Sequence, residues 1–324
     1  MFVVTFEKLG NPAEVLRLRE VEVPAVPAGS VLIRVKASPV NPSDVMFVRG
    51  LYGIRPQLPS GAGFEGAGIV EALGEGVSAS LLGKRVMFTT IGAWAEYVVV
   101  PAKTAILIPE TLSDEIACQA FVNPFTAWAM LHEANLQAGD WLLLTAGGST
   151  FGQLIVQMAR KRGIRTICTV RRNDQIEQLK ALGATEVLNT EEVKLAKAVY
   201  EITQGKGADC CLEAVGGKTA SDALKALKIG GVMLVYGLLS LEAPVIDTGL
   251  MIFRTLTIKG FWLTSWLAHA SREVHNQLKT EVFELLSQEV KITIEATYSL
   301  HEIHKAVQHA ETPGRKGKIL IVNP

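Results

Sequence analysis

The stretch WLLLTAGGSTFGQLIVQMA (141–159) places four consecutive apolar residues, a glycine-rich turn and an amphipathic run side by side. It reads as a buried strand, a tight turn and a helix, the local context in which a dinucleotide pyrophosphate is held. Small residues in the turn let the backbone approach the ligand, and the free N–H groups at the helix start stabilise its negative charge. Against the Gly-x-Gly-x-x-Gly pattern the chain reads Gly147-x-Ser149-x-x-Gly152, with Thr150 and Phe151 completing the turn. The same residues also fit a plain turn in which glycine is needed only for positive φ.

The following strand bears on that choice. TICTV (166–170) ends in Arg171-Arg172, with Asp174 just beyond. About 20 residues after the glycines an NAD site keeps an acid for the ribose hydroxyls, whereas a 2′-phosphate is met by basic side chains. Two guanidiniums at this place favour NADPH. Working outward, QIEQLKALGA (175–184), DCCLEAVG (209–216), a helix over TASDALKALKIGG (219–231), VMLVYG (232–237) and LTIKGF (256–261) continue an alternation of strands and helices, the signature of a parallel sheet. Val215-Gly216 and Tyr236-Gly237 end two of these strands, where such sheets bind ligands. Residues 271–288 set Val274, Leu278, Val282 and Leu285 on one helical stripe. Residues 1–115 differ: VLIRVKASPV, GIVEAL, KRVMFTT and AEYVVV are short β-branched runs between Gly and Pro, as in a barrel or sandwich, and ATYSL and KILIVNP return to that texture near the end.

At 324 residues the chain is about two domains long. Lys plus Arg and Asp plus Glu both total 32, so no global field draws in nucleic acid or an anionic membrane. Four cysteines without a CxxC pair, two of them adjacent (Cys210, Cys211), point to a reducing compartment rather than to disulfides. The N-terminal MFVVTFEKLG reads as a first strand, not a targeting peptide, and the longest uncharged apolar run, Ile229 to Leu241, is too short to span a bilayer. A cytoplasmic protein is expected.

Gly63-Phe64-Glu65-Gly66-Ala67-Gly68, followed by Gly74 and Val77, resembles the Gly-His-Glu-x-x-Gly signature of the medium-chain dehydrogenase/reductase superfamily, with Phe64 in the place of the histidine. In zinc members of that superfamily the histidine is a metal ligand and a cysteine stands where this chain has Asn41. A catalytic zinc needs about three N, S or O protein ligands, so the resemblance implies a zinc-independent member. The closer resemblance, over nearly the whole chain, is to NADPH-dependent enoyl thioester reductases of mitochondrial type, a branch beside the quinone oxidoreductases. It rests on NPSDVMFVRGLYG (41–53), VNPFTAW (122–128), FGQLIVQMA (151–159), TVRRND (169–174), EAVGGK (213–218) and LMIFRTLTIKGFWLTSW (250–266).

The resemblance implies an α/β chain with a GroES-like β-barrel catalytic domain (1–115, completed by 265–324) and a Rossmann doubly wound sheet (116–264) holding NADPH, with the substrate in the cleft between them. It further implies Tyr52 and Asn41 as catalytic residues, Tyr52 as proton donor. A phenol, with an ordinary pKa of about 10, is a stable acid at neutral pH and can protonate the enolate left by hydride addition. Locally, Asn41 with Pro42 is suited to start a helix and Gly50 to end it, which leaves Tyr52 on a loop. By resemblance Asn41 and Thr126 lie near the nicotinamide and its phosphates, and Phe261, Trp262 and Leu263 align its carboxamide. Reduction of trans-2-enoyl thioesters is the expected activity, on a coenzyme A or acyl-carrier-protein substrate. Quinone reduction by the same NADPH is the alternative, and a non-catalytic NADPH-binding protein an alternative of another class. A homodimer through the last Rossmann strand is expected. Arg49 and Arg55 near Tyr52, and His301 with His304, read as surface residues rather than phosphate or metal ligands.

Overall fold

A computed structural model of the chain describes residues 1–288 and 290–323; residues 289 and 324, inside the expected C-terminal return, lie outside the described residues. The chain divides into two compact units, Met1–Asn123 with Lys291–Pro324, and Pro124–Val290.

The first unit is built on a seven-stranded sheet in the order Ile294–Tyr298, Lys318–Val322, Ser30–Pro39, Glu65–Leu73, Arg85–Thr89, Ile106–Leu107, with Tyr97–Pro101 also paired to Ser30–Pro39. A three-stranded sheet joins Phe2–Phe6 to Arg17–Glu20 and Ser60–Gly61. Alternate β-branched side chains, including Val31, Ile33, Val35, Val70, Val86 and Val98, share one core with Phe88. A second core gathers Phe6, Phe47, Trp94, Ile303 and Ile319, and Tyr52, Ile54 and Phe64 pack on its margin. The strand runs expected at both ends of the sequence are present, and they meet: Leu320 pairs with Pro39 and Ile321 with Ser38.

The second unit carries six parallel strands. Numbered in chain order, Trp141–Leu144, Arg165–Val170, Glu186–Asn189, Ala208–Glu213, Leu227–Val235 and Thr257–Gly260 lie in the spatial order 3-2-1-4-5-6. That is the doubly wound dinucleotide order, with its switch point between the first and fourth strands. The first strand is buried at every position, as a central parallel strand covered on both faces must be.

Three expectations need correction. The boundary falls at 123/124 rather than 115/116, because the helix Asp114–Ala117 packs on the sheet of the first unit and Val122 N–H donates to Glu65 there. It falls at 290/291 rather than 264/265, because the helix Arg272–Gln288 buries Leu278, Val282 and Leu285 and packs on Thr126–Ala134 of the second unit. The helix expected over 219–231 runs only Gly217–Lys225; residues from Leu227 form the fifth strand, where pairing to Ala208 and Cys210–Glu213 outweighs local helix propensity.

Candidate active site

The glycine-rich turn follows the first strand and leads into the helix Thr150–Lys161. Its glycines are required by close approach, not by φ. A Cβ on Gly152 would lie 2.4 Å from the Gly147 oxygen, and one on Gly147 would lie 2.6 Å from Cys168 Cβ. The positive φ of the turn belongs to Ala146, at 51°. Ser149, at the middle position of the pattern, caps the helix: its Oγ accepts from Gly152 N–H at 3.0 Å. The first-turn N–H groups of Thr150 and Phe151 remain for a ligand. Apolar burial behind this turn is strong, with Leu154, Ile155, Val156 and Met158 inside, so the helix start is held against the sheet. The cradle fits a pyrophosphate on geometry alone.

Four other strand ends bring the expected residues from Arg171 to Leu263 to the same carboxyl edge. After the second strand Arg171 and Arg172 are exposed, and Arg172 is already engaged in a two-bond pair with Asp174, at 3.0 and 2.7 Å. After the fourth strand the buried Glu213 folds back, its Oε1 accepting from Val215 N–H at 2.6 Å and Gly216 N–H at 3.0 Å. Those two amides are therefore committed within the protein. No spacing in the sequence marks Glu213 for this role. Tyr236 ends the fifth strand with its ring 4.8 Å from that of Phe151, and burial pushes its phenol well above the usual range. Gly237 is held against Ala214, where a Cβ would meet the Ala214 oxygen at 2.8 Å. Beyond the sixth strand Phe261 is buried and donates its N–H to Val235, Trp262 is 42% exposed, and Leu263 starts a helix whose Trp266 donates to Glu133. Thr126 opens the helix Thr126–Ala134, half-buried.

Tyr52 and Asn41 belong to the first unit. Pro42–Val48 is a helix as expected, closed at its start by Asp44 Oδ2 accepting from Asn41 N–H at 2.7 Å, and Gly50 follows its end at φ 73°. Tyr52 lies on the loop beyond, half-buried, its ring 5.2 Å from Phe64. Asn41 is 1% exposed. Its Nδ2 donates to Glu65 Oε1 at 2.7 Å and its Oδ1 accepts from Lys318 Nζ. Both ends of this side chain, expected by resemblance as a catalytic residue, are thus engaged within the first unit.

Around Asn41 lies a buried polar knot that no sequence motif announces. Burial drives Asp44 up to about 8 and Glu65 up to about 7, and drives Lys318 down to about 8. Asp44 Oδ1 has no hydrogen-bond partner. Arg49 is paired to Glu311 at 2.7 Å and Arg55 is exposed; His304 Nδ1 bonds the Ala13 carbonyl oxygen, and His301 packs on Phe2. Among the described residues no group of three or more His, Cys, Asp or Glu could hold a metal.

Comparison with known proteins agrees with this anatomy. Residues 27–110 match the alcohol dehydrogenase GroES-like domain, and residues 151–288 match the zinc-binding dehydrogenase family. The second description implies a metal that the residues do not fit: Phe64 cannot ligate, and Asn41 has both ends of its amide engaged. The mitochondrial enoyl-[acyl-carrier-protein] reductase of Mus musculus is 34% identical over 286 residues, 86% of this chain and 77% of that protein. The enzyme of the same name from Arabidopsis thaliana is 35% identical over 82% of this chain and 72% of its own length. Among solved structures, Escherichia coli quinone oxidoreductase complexed with NADPH superposes with a TM-score of 0.91 at 28% identity, covering 100% of both chains. A putative NADPH:quinone reductase from Bacillus thuringiensis gives 0.94 at 32%, over 100% of this chain and 99% of that one. With this sequence identity, this coverage and these two domain matches, the chain belongs to the medium-chain dehydrogenase/reductase superfamily.

Proposed function

We propose that this protein is a zinc-independent, NADPH-dependent reductase of the C=C bond of trans-2-enoyl thioesters, carried on coenzyme A or an acyl-carrier protein. Bound NADPH supplies a hydride to the β-carbon. The protein's part is to bind, orient and protonate. Thr150 and Phe151 N–H groups, at the positive end of the helix Thr150–Lys161, stabilise the pyrophosphate. Arg171, joined by Arg172 when it leaves Asp174, meets the 2′-phosphate. Phe151, Tyr236, Phe261, Trp262, Leu263 and Thr126 wall the nicotinamide. Tyr52 hydrogen-bonds the developing enolate and delivers the proton to the α-carbon.

The observation that carries this reading is Tyr52: a phenol held half-buried on a ring platform, in a chain 34% identical to enoyl reductases. Tyr52→Phe is expected to lower turnover of crotonyl-CoA by about 10²-fold or more, the usual worth of a positioned acid, with the Kd for NADPH unchanged. Full turnover in that variant would remove the assignment. Quinone reduction is the second reading, favoured by the names of the superposable structures. It needs no dedicated proton donor, because quinone oxygens exchange protons with water, so a good rate with benzoquinone and none with enoyl thioesters of several lengths would decide for it.

A second copy of the chain is the partner this reading includes. The sixth strand leaves one edge of the sheet open, and beside it Phe253 is 84% exposed, Val245 81% and Ile252 68%. No helix of the described residues is long and apolar enough to cross a membrane. Four buried thiols outside any disulfide support a reducing compartment, the cytoplasm in this reading.

A further inference from the structure

Phe64 stands where metal-dependent relatives keep a ligand, and here its ring is part of a continuous aromatic series. Phe6 meets Phe47 edge-on at 5.8 Å, Phe47 meets Phe64 at 5.0 Å, and Phe64 meets Tyr52 at 5.2 Å with the planes inclined by 37°. Phe6 and Phe47 are wholly buried, whereas Phe64 and Tyr52 are half-buried, so the series runs from the core to the loop.

Phe64 rides on a fixed backbone. Its carbonyl accepts from Thr90 N–H; Gly63 before it lies so close to Trp94 that a Cβ would clash at 2.5 Å; Glu65 after it is locked by Asn41 and Val122. The Tyr52 loop is exposed at every second residue: Leu51, Gly53 and Arg55 face outward, and only Tyr52 and Ile54 turn to the core. A tyrosine has two rotatable side-chain bonds, and a ring packed against it at 5.2 Å restricts which rotamers it can keep.

We infer that Phe64 is a positioning residue that fixes the rotamer of Tyr52, and thereby the place of its hydroxyl, through ring-on-ring contact. The inference rests on the proton-donor reading of Tyr52 given above. An offset aromatic pair is worth up to about tenfold in an equilibrium beyond its buried area, and that is the size of the effect to look for.

A double-mutant cycle on crotonyl-CoA reduction tests it. Phe64→Leu is expected to lower kcat about tenfold with the KM for NADPH within twofold of wild type, and Phe64→Tyr, which keeps a ring, to stay within twofold in both. Phe64→Met repeats the measurement with similar volume and no ring, should the leucine variant fold poorly. In the Tyr52→Phe background, where no hydroxyl remains to be placed, Phe64→Leu should change kcat by less than twofold. An unchanged kcat in Phe64→Leu, or the same tenfold loss in both backgrounds, overturns the inference while leaving the proton donor standing. Full turnover in Tyr52→Phe overturns the proton donor and the inference together.

Discussion

Replacing Asp44 by asparagine should change how the stability of the first unit depends on pH. Asp44 is 1% exposed, and burial raises its pKa from an ordinary 3.8 to about 8. Between those values the folded chain keeps a proton that the unfolded chain has released. The folded state then binds more protons, so stability is full at low pH and falls as pH rises, by about 1.4 kcal/mol per unit from this one group. From pH 5 to pH 7 that amounts to about 3 kcal/mol. The substituted amide cannot titrate, so Asp44→Asn loses this slope. It also brings two buried N–H donors where the neutral acid has one O–H, beside the place where Oδ1 has no partner, at a cost of about 1–3 kcal/mol. Measured from the fully protonated chain, Asp44 has cost about 1.6 kcal/mol by pH 5 and about 4 kcal/mol by pH 7, so the variant should be close to the native protein in stability at pH 5 and the more stable of the two at pH 7. Glu65, raised to about 7 chiefly by its own burial, adds a slope of the same sign to both proteins, so the difference between them reads Asp44. Urea-dependent hydrogen exchange of peptides spanning 30–48, at pH 5, 6 and 7, measures that difference within this unit. Parallel lines for the two proteins would refute the account of a carboxyl kept neutral by burial.

Three further outcomes are expected. Gly152→Ala drives a methyl group to 2.4 Å from the Gly147 oxygen, so NADPH affinity by fluorescence titration should fall at least about tenfold, and an unchanged Kd would reject the cradle. Arg171→Ala should weaken NADPH about tenfold and NADH less than twofold, while Asp174→Ala, by releasing Arg172, should tighten NADPH alone; equal changes for both cofactors would remove the 2′-phosphate assignment. Phe253→Asp should shift sedimentation velocity from a two-chain to a one-chain species, and a wild type that sediments as one chain at all concentrations would end the dimer proposal.

Local patterns are legible in the sequence wherever neighbours along the chain make the structure. Apolar runs bounded by Gly and Pro mark the strands, and WLLLTAGG with the following helix marks the dinucleotide turn, because the whole device spans one strand end and one helix start. Arg171 and Arg172 are visible for the same reason. What escapes is made by distance. Asn41 is locked by Glu65 and by Lys318, 277 residues away, and no local pattern distinguishes that lysine from a surface one. Glu213 acts on its own next residues only because the chain turns sharply there. The expected boundary at 264 fails because Trp266 and the helix Arg272–Gln288 have ordinary amphipathic spacing, and only packing on Thr126–Ala134 says which unit they join.

The serine at the centre of the glycine turn carries a consequence for binding itself. A third glycine there would leave three first-turn donors to a ligand and a helix start free to fray. Ser149 commits one of those donors, Gly152 N–H, to a bond internal to the protein. The helix end is then ordered before any anion arrives, and the entropy of ordering it is lost at folding rather than at binding. A ligand meets one contact fewer on a receptor already in shape, so association should proceed with little change in the amide protection of residues 146–152.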